Sequence, residues 1–331
     1  MKYLIIRFSA MGDVAMTSPV VASVAKENPR DEFVVLTQGW LTPLFDKGDN
    51  IKTIGIKFDD YKGVIGIFRL FMTLRKEHFD IILDLHDVLR SKLLVLFFQI
   101  SGVPCHITDK GRKEKRNLVC GKLRKQLKSS IERYCDVFRD SNLSVDLPPR
   151  GTKSILPLPE AFREEKKGHW YGIAPFAQHR GKAYPIDKSR ELIRLLSQRA
   201  EDRVFIFSGG GEEKAIVDEI VTSTKNAVGV FGKVRLDGEK ALMSHLDALV
   251  SMDSGAMHIA SIVGCRCISV WGATHPWAGF LGYGQCDDDI ISLPMECRPC
   301  SIYGNKPCKN GDYACLNIDP KIIYKRVVEA G

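Results

Sequence analysis

Residues 251–258 read SMDSGAMH and lie between an apolar run that ends in DALV and a second run, IASIV, with helical spacing. An apolar run, a small acidic turn containing glycine and then a helix predict a strand–turn–helix unit. Such a turn presents unpaired backbone N–H groups and the positive end of a helix. The stretch therefore predicts a phosphate-binding turn in an α/β fold.

A second turn of this kind follows the first apolar run of the chain. Residues 3–7 (YLIIR) predict a strand, residues 9–13 (SAMGD) a turn, and residues 14–26 a helix. Two such units far apart predict an α/β protein in which two Rossmann-like, doubly wound domains face each other across a cleft, where we expect the chemistry.

Apolar strand-like runs alternate with helix-like runs in both halves of the chain, as in a parallel sheet covered by helices. Predicted strands cover residues 3–7, 33–37, 79–85, 103–107, 170–175, 203–208, 227–231, 247–251 and 266–271. Predicted helices cover residues 14–27, 63–77, 88–100, 187–200, 212–224, 238–246 and 255–263.

A proline-rich stretch, residues 144–160, has no regular period and predicts a linker. We therefore expect an N-terminal Rossmann-like domain over residues 1–155 and a C-terminal Rossmann-like domain over residues 156–318. Residues 319–331, opening with Asp319 and Pro320, predict a last helix that could return to the first domain.

The composition is that of a soluble globular protein: 331 residues, 44% hydrophobic and 27% charged, with a formal net charge of +8. No secretion signal and no apolar run of spanning length is apparent, which predicts a cytoplasmic location. Residues 109–133 hold ten Lys or Arg against three acids. This basic block could contact nucleic acid, an anionic membrane or a phosphorylated acceptor, or could be a solvated helix face.

Ten cysteines in a chain without a secretion signal do not indicate a disulfide framework. Four of them are clustered in a Gly-, Pro- and Asn-rich stretch, which we call the four-cysteine segment: Cys297, Cys300, Cys308 and Cys315. Four thiolates could hold a structural zinc ion. The alternative is four reduced thiols packed in an irregular loop.

Each candidate residue has a structural and a functional interpretation. Asp13 either complements a helix N-terminus or, aimed by a tight turn at Gly12, acts as a general base. Lys182 follows a predicted strand end and either meets a phosphate or is an ordinary surface lysine. Asp253 could cap its helix, and His258 could be structural or could hydrogen-bond a diphosphate or sugar hydroxyl.

The glycine content of the loops bears on the cofactor. The turn after the first strand has a single glycine, which disfavours a nicotinamide dinucleotide enzyme. Residues 209–211 are all glycine and lead into Glu212 and Glu213. This second loop suits a ribose contact better than a pyrophosphate contact, and a plain loop is its alternative.

Several segments, in this order, resemble glycosyltransferase family 9, the heptosyltransferases of bacterial lipopolysaccharide. They are IIRFSAMGDVAMTSPVVASV (5–24), FDIILDLHDVLRSK (79–92), IAPFAQHRGKAYP (173–185) and LDALVSMDSGAMHIASIVGCRCISVWGATHP (246–276). The resemblance implies a GT-B fold, with an N-terminal acceptor-binding domain (1–155) and a C-terminal nucleotide-sugar-binding domain (156–318). It implies an inverting glycosyltransferase that needs no catalytic metal or other cofactor. It also implies transfer of a heptose or related sugar from an ADP-sugar to an inner-core acceptor.

The resemblance further implies a role for individual residues. Asp13 would be the catalytic base, and Lys182 would neutralise the leaving diphosphate. Glu212 or Glu213 would meet the ribose, Val234 the adenine, and His179 and Arg180 would replace the hydroxyl side chains that many members have in that loop. The donor-binding set comprises Gly12, His179, Arg180, Glu212, Glu213, Val234, Asp253, Ser254, Gly255 and His258.

The acceptor implied by the resemblance is a lipid A–core glycolipid, so we expect a peripheral location on the inner face of the cytoplasmic membrane. Part of the basic block would face it: Lys110, Arg112, Lys113, Lys115 and Arg116. Two other interpretations stay open, a nucleotide-sugar epimerase or hydrolase of the same fold and a non-catalytic nucleic-acid-binding protein. Nucleic acid is disfavoured because the basic block has no recognised motif and no regular aromatic spacing.

Overall fold

The computed structural model describes residues 1–46, 48–149 and 151–329. The chain divides into two compact units, Met1–Arg112 with Lys128–Pro148, and Lys113–Leu127 with Pro149–Gly331. Each unit contains one parallel sheet. Among the described residues, none of the helices combines the length and apolar character that crossing a membrane requires.

The sheet of the first unit has the strand order β3-β2-β1-β4-β5. Its strands are β1 (Lys2–Ile6), β2 (Glu32–Gln38), β3 (Ile51–Ile56), β4 (Ile81–Asp84) and β5 (Cys105–Ile107). The helices of this part of the chain are α1 (Met11–Glu27), α2 (Gly63–Leu74), α3 (Leu89–Ile100), α4 (Arg112–Val119) and α5 (Ser130–Arg139).

Burial explains which strands of this sheet were predicted. Leu4, Ile5 and Ile6 of β1 are fully buried, as expected for a central parallel strand covered on both faces. Strand β3 was not predicted, because it lies at the sheet edge and exposes Lys52 and Thr53. Its sequence therefore lacks a continuous apolar run.

The sheet of the second unit has the order β11-β10-β9-β6-β7-β8. Its strands are β6 (Trp170–Ala174), β7 (Arg203–Ile206), β8 (Ala227–Gly229), β9 (Ala248–Met252), β10 (Cys267–Trp271) and β11 (Ile290–Ser292). Its further helices are α6 (Ile186–Leu196), α7 (Glu212–Ser223), α8 (Leu236–His245), α9 (Gly255–Ile262) and α10 (Pro320–Val328). The predicted alternation of strands and helices is thus present in both halves.

The domain boundary differs from the expected position near residue 155. Residues beyond 148 are already bonded to the second unit: the Ser154 amide donates to the Val263 carbonyl at 3.1 Å, and the Leu156 amide donates to the Ser244 hydroxyl at 3.0 Å. Proline content indicated a linker, but these hydrogen bonds make its second half part of the second unit.

A second difference concerns residues 113–127, which the sequence assigned to the first domain. The structure places them in the second unit. The Leu127 amide donates to the Trp277 carbonyl at 2.9 Å, and the Lys115 ammonium lies 4.4 Å from the centre of the Phe280 ring. Residues 113–127 are therefore held in the second unit by backbone and side-chain contacts that composition does not reveal.

The last helix begins as predicted, because Pro320 is its first residue and the Asp319 carboxylate accepts from the Lys321 amide at 2.9 Å. Its apolar side chains Ile323 and Val327 join the core of the second unit. The hypothesis that this helix returns to the first domain is therefore corrected. Residues 330 and 331 of the predicted segment lie outside the described residues.

A buried carboxylate ties α10 to its unit. Asp289 is 2% exposed, and its Oδ1 accepts from Arg266 Nη2 and from Arg326 Nε, both at 2.7 Å. Burial by itself would raise the pKa of Asp289, but the hydrogen bonds and charges of the two guanidinium groups hold it below its ordinary value.

We predict that Asp289→Asn lowers the free energy of unfolding by about 2–3 kcal/mol, because Arg266 and Arg326 lose their buried anionic partner, a loss that their partial exposure to solvent limits. The carboxylate stabilises the fold above its unfolded-state pKa, about 4, and the contribution is lost as the pH falls through the lower folded-state pKa. Urea denaturation of both proteins should show the difference at pH 7 and a smaller one below about pH 4. The exposed neighbour Asp287 provides the control Asp287→Asn, and equal losses in the two variants would contradict the prediction.

Candidate active site

Each sheet has a point at which its winding direction reverses. The reversal lies between β1 and β4 in the first unit and between β6 and β9 in the second. In open parallel sheets, ligands bind outside the carboxyl ends of the strands at this switch point. Charged side chains are concentrated there in both units.

In the first unit the switch point carries an ion pair between Arg7 and Asp13. Arg7 follows β1, Asp13 lies in the first turn of α1, and Arg7 Nη2 is 2.6 Å from Asp13 Oδ2. The Arg7 side chain is 5% exposed and that of Asp13 32%. Arg7 Nη1 also donates to the Leu85 carbonyl at 2.6 Å. The guanidinium is therefore fixed from behind and holds a carboxylate that solvent and ligands can reach.

The structure changes the explanation of this turn. Ala10 occupies the N-cap of α1 without a side-chain cap, so Asp13 does not act as the cap. Gly12 is the second residue of α1 rather than the centre of a tight turn. The orientation of Asp13 therefore comes from Arg7, and the conformational freedom of Gly12 is not what aims it.

The segment after β4 adds a neutral histidine. Asp84 Oδ1 accepts from the backbone amides of His86 at 2.8 Å and Asp87 at 3.1 Å, which turns the chain sharply. Burial, followed by the charges of Arg7 and Lys110, lowers the pKa of His86 to about 3. His86 therefore lies uncharged beside the ion pair at physiological pH.

Cations predominate around this switch point. Asp87 pairs with Lys92 at 3.2 Å and with Arg112 at 2.5 Å. The pKa of the half-buried Lys110 is lowered, first by burial and then by the charge of Arg7. Arg7 and Lys110 both act on Asp13, so the charges at this switch point suit an anionic ligand.

In the second unit the switch point is bridged by Lys182 and Asp253. Lys182 lies in the loop after β6, Asp253 follows β9, and Lys182 Nζ is 2.9 Å from Asp253 Oδ2. The side chains are 16% and 4% exposed. The predicted capping role of Asp253 is corrected, since Ser254 is the N-cap of α9. Asp253 instead holds the lysine at the switch point.

Glycines pack closely around the lysine stem. Gly304 has a φ of +74°, and a Cβ built there would lie 2.6 Å from Lys182 Cγ. A Cβ on Gly181 would lie 2.8 Å from the Gly304 carbonyl oxygen. The loop that carries Gly304 thus covers the aliphatic part of Lys182 and leaves little space for another rotamer.

Helix α9 begins next to this pair. Ser254 has extended backbone dihedrals and makes no side-chain capping bond, and its hydroxyl lies 3.2 Å from that of Ser251. His258 lies in the first turn and is buried. The first backbone N–H groups of α9, from Gly255 onward, therefore have no side-chain cap, the arrangement that binds a phosphate.

The other predicted donor residues are less concentrated. Glu213 Oε2 accepts from the Gly209 amide at 2.6 Å within its own loop, whereas Glu212 is exposed. The Arg180 guanidinium lies 5.0 Å from the Tyr313 ring. The His179 carbonyl accepts a hydrogen bond from the Lys182 amide at 2.9 Å. Glu213 and Arg180 thus already have local partners.

The region of the predicted adenine contact contains an aromatic side chain that sequence reasoning missed. Phe231 forms an isolated bridge with Val234, and a Cβ added to Gly210 would lie 3.1 Å from its ring. Phe231 is 41% exposed. Its position against a glycine loop places an exposed ring beside the predicted Val234 contact.

The basic block does not form one surface. Lys113 and Arg116 are exposed, and Arg112 pairs with Asp87. Lys115 is buried against the Phe280 ring, so its predicted acceptor or membrane contact is corrected. A buried lysine stacked on an aromatic ring contributes to packing instead.

The thiols of the four-cysteine segment lie close enough to influence one another, because the charges of Cys297, Cys300 and Cys308 add to the effect of burial on the pKa of Cys315. All ten cysteines are free thiols in the structure. The part of the chain that the structure describes includes the four-cysteine segment, and it contains no group of three or more His, Cys, Asp or Glu side chains suited to a metal ion. Burial raises the pKa of Cys315 to about 11, which favours its thiol. The structural zinc ion stays a prediction.

Two parallel-sheet units, each with a switch point, define an α/β protein of the doubly wound class. The model of glycosyltransferase family 9 (heptosyltransferase) matches residues 67–310. The chain therefore belongs to glycosyltransferase family 9. The resemblance drawn from the sequence motifs and the prediction of a glycosyltransferase are both confirmed.

Known proteins support this assignment. Lipopolysaccharide heptosyltransferase 3 of Escherichia coli K12 is 27% identical over 298 residues, which cover 80% of this chain and 82% of that protein. The glycosyl transferase family 9 structure from Veillonella parvula has a TM-score of 0.74 at 16% identity and covers 98% of this chain and 95% of its own. E. coli heptosyltransferase WaaC with ADP-2-deoxy-2-fluoro heptose has a TM-score of 0.69 at 18% identity, with 98% and 100% covered. The predicted GT-B class of fold is confirmed.

Sequence reasoning missed part of the first switch point. The sequence motifs contain Arg7, His86 and Asp87 but predict no role for them, although Arg7 has a recognisable signal. Arg7 is a charge directly after a fully buried strand, and a buried charge requires a partner. His86 and Asp87 could be connected with Asp13 only after β1 and β4 were known to be neighbours.

We predict that His86 stays neutral between pH 5 and 8, because its pKa of about 3 lies well below this range. Protonation then favours the unfolded chain, whose histidine has a pKa of about 6.5, so stability should fall as the pH drops below about 6.5. NMR titration of labelled histidine rings measures the pKa directly. Loss of the Arg7 charge in Arg7→Met should raise the pKa of His86. A His86 resonance that titrates near pH 6.5 in the wild type would contradict the prediction.

Proposed function

We propose that this chain is an inverting, metal-independent heptosyltransferase that transfers a heptose from ADP-heptose to the inner core of lipopolysaccharide. One observation carries the proposal: the Lys182–Asp253 pair lies at the switch point of the second unit, next to the uncapped start of α9. The ADP-sugar bound in the WaaC structure and the names of the curated relatives support the choice of donor and acceptor.

The donor half of the mechanism is electrostatic. When the bond between the sugar C1 and the diphosphate oxygen breaks, negative charge develops on the departing ADP. Lys182 supplies a fixed positive charge, and the backbone N–H groups at the start of α9 supply further donors. Asp253 orients the lysine without occupying all of its three N–H donors. Together these groups can stabilise the leaving group without a metal ion.

The acceptor half requires a base. Asp13 would take the proton of the acceptor hydroxyl while that oxygen bonds to C1 and the diphosphate leaves from the opposite face. This displacement inverts the configuration at C1. Arg7 orients the carboxylate through their ion pair, and the half-buried Lys110 provides a cation for an acidic core sugar.

The acceptor is a glycolipid in this proposal, so the enzyme would work at the inner face of the cytoplasmic membrane as a peripheral protein. Donor contacts by Glu212, His179 and Val234, and the contact of His258 with the diphosphate or sugar, are part of the same proposal. The proposal also includes acceptor contacts by Lys113 and Arg116, because both side chains are exposed.

We predict that Asp13→Asn lowers the transfer rate by about 10²–10⁴-fold, the usual contribution of a general base, while ADP binds as in the wild type. Transfer to a purified core acceptor is followed by mass spectrometry and ADP binding by calorimetry. Asp140→Asn, an exposed acid of the same unit, is the control. Wild-type turnover by Asp13→Asn would reject the assigned base, and full ADP release without any acceptor would indicate an epimerase or hydrolase instead.

A second prediction concerns the leaving group. Lys182→Met should weaken ADP binding about 10- to 100-fold, because a charge-assisted hydrogen bond to the diphosphate is lost. Lys225→Met, an exposed lysine of the same unit, should bind ADP like the wild type. Unchanged ADP affinity in Lys182→Met would contradict the proposed phosphate contact.

The proposed mechanism also predicts metal independence and inversion. Wild-type transfer should continue at full rate in EDTA, and NMR should show that the product has the opposite anomeric configuration to the donor.

A further inference from the structure

The first unit exposes an unusual number of large apolar side chains on two neighbouring helices. We call this surface the α2–α3 face, and its members are between 42% and 84% exposed: Val64, Ile65, Phe68, Met72, Leu89, Leu96 and Ile100. Single exposed apolar residues are common on proteins, but a contiguous group of them marks an interaction surface.

The apolar side chains of α3 lie on the side away from the core. With about 100° between successive residues, Leu89, Leu96 and Ile100 fall on one stripe. The buried side chains of the same helix, Leu94 and Phe98, lie on the opposite stripe. The exposed stripe is therefore a second apolar face, and the folding of this unit does not require it.

Helix α2 extends this surface. Val64, Ile65, Phe68 and Met72 share one side of the helix, next to the side that is buried. The Phe68 ring contacts the Phe97 ring of α3 edge-on, with 5.3 Å between the ring centres. The two exposed stripes are thus in contact through aromatic rings and form one continuous surface.

Basic side chains predominate on this face, and two of them have acidic partners at its edge: Lys62 pairs with Asp59 at 2.8 Å and Lys92 with Asp87 at 3.2 Å. Residues 61–76 and 88–108 contain no Asp or Glu. They contribute six basic side chains, all of them exposed: Lys62, Arg69, Arg75, Lys76, Arg90 and Lys92. Arg90 lies over the Phe58 ring at 4.4 Å, so its aliphatic stem also covers apolar surface.

We infer that the α2–α3 face docks on an anionic lipid bilayer. Helices that lie in a membrane interface combine an apolar stripe, which enters the boundary between headgroups and acyl chains, with flanking Lys and Arg that contact lipid phosphates. A second copy of the chain fits less well, because a symmetric contact would bring the same basic side chains against each other. Charge complementarity therefore selects a lipid surface.

This inference goes beyond the proposed function and moves the membrane contact away from the basic block. In that block, Lys115 is buried and Arg112 is engaged by Asp87, whereas the α2–α3 face offers apolar and cationic groups together. The inference concerns lipid alone, so it does not depend on the donor, the acceptor or the reaction.

The test is co-sedimentation of the full chain with vesicles of phosphatidylcholine alone and of phosphatidylcholine mixed with phosphatidylglycerol, without nucleotide sugar or glycolipid. The wild type should bind the anionic vesicles more strongly, and added salt should weaken this binding. The variant Ile65→Gln/Leu89→Gln/Ile100→Gln should lose about tenfold or more of its partition coefficient. The variant Arg69→Gln/Arg75→Gln/Lys76→Gln should lose the preference for anionic lipid.

Two control variants test whether the loss of vesicle binding is specific to the α2–α3 face. They remove exposed apolar side chains and positive charges at other places in the chain. Ile155→Gln/Ile322→Gln removes two apolar side chains of the second unit that are 59% and 51% exposed, and Lys122→Gln/Arg124→Gln/Lys125→Gln removes charge from the basic block. Both should bind vesicles like the wild type, and circular dichroism should show that every variant is folded.

Undiminished vesicle binding by the apolar triple variant would overturn the inference. Failure of the wild type to bind anionic vesicles would also overturn it. The same holds if light scattering shows that the wild type is a dimer and that the apolar triple variant is a monomer. Loss of transfer in the Asp13→Asn variant would leave the vesicle result unchanged, so failure of the lipid inference and failure of the proposed function can be told apart.

Discussion

The central constraint on this protein is the burial of its parallel strands on both faces. Strands such as β1, β6 and β9 consist almost entirely of buried side chains because helices cover both sides of each sheet. Polar chemistry is therefore restricted to the strand ends, and the strand order determines which ends are neighbours. The positions of Arg7, Asp84 and Lys182 follow from this restriction.

The ion pairs at the two switch points differ in which partner is the more buried, the cation or the carboxylate. In the first unit the cation is buried and the carboxylate is the accessible partner, with Arg7 at 5% and Asp13 at 32% exposure. In the second unit the carboxylate is the more buried partner, with Asp253 at 4% and Lys182 at 16%. Each pair presents one reactive charge while the other is kept in place. This difference matches the chemistry proposed for the two halves, a base in one and an anion-stabilising cation in the other.

The distribution of basic residues shows that sequence density and surface density are separate properties. Residues 109–133 have the highest local charge in the chain, yet Lys115 and Arg133 in this block are buried. The six basic residues on and next to α2 and α3 are spread over residues 62–92 and do not form a charged block in the sequence. Helical geometry places them around one apolar surface, and only the fold shows that this surface faces solvent.

The sequence by itself determined the α/β class, the two halves and the positions of Asp13, Lys182 and Asp253, because buried strands, turns and helix starts leave local patterns. The edge strands β3 and β11 and the short helices α4 and α5 escaped prediction, since short or partly exposed elements lack a long apolar signal. Only the tertiary structure decided that Arg7 pairs with Asp13, that His86 stays neutral beside them and that residues 113–127 belong to the second unit. These facts depend on contacts between residues distant in the chain, and burial and strand order establish them only once the protein has folded.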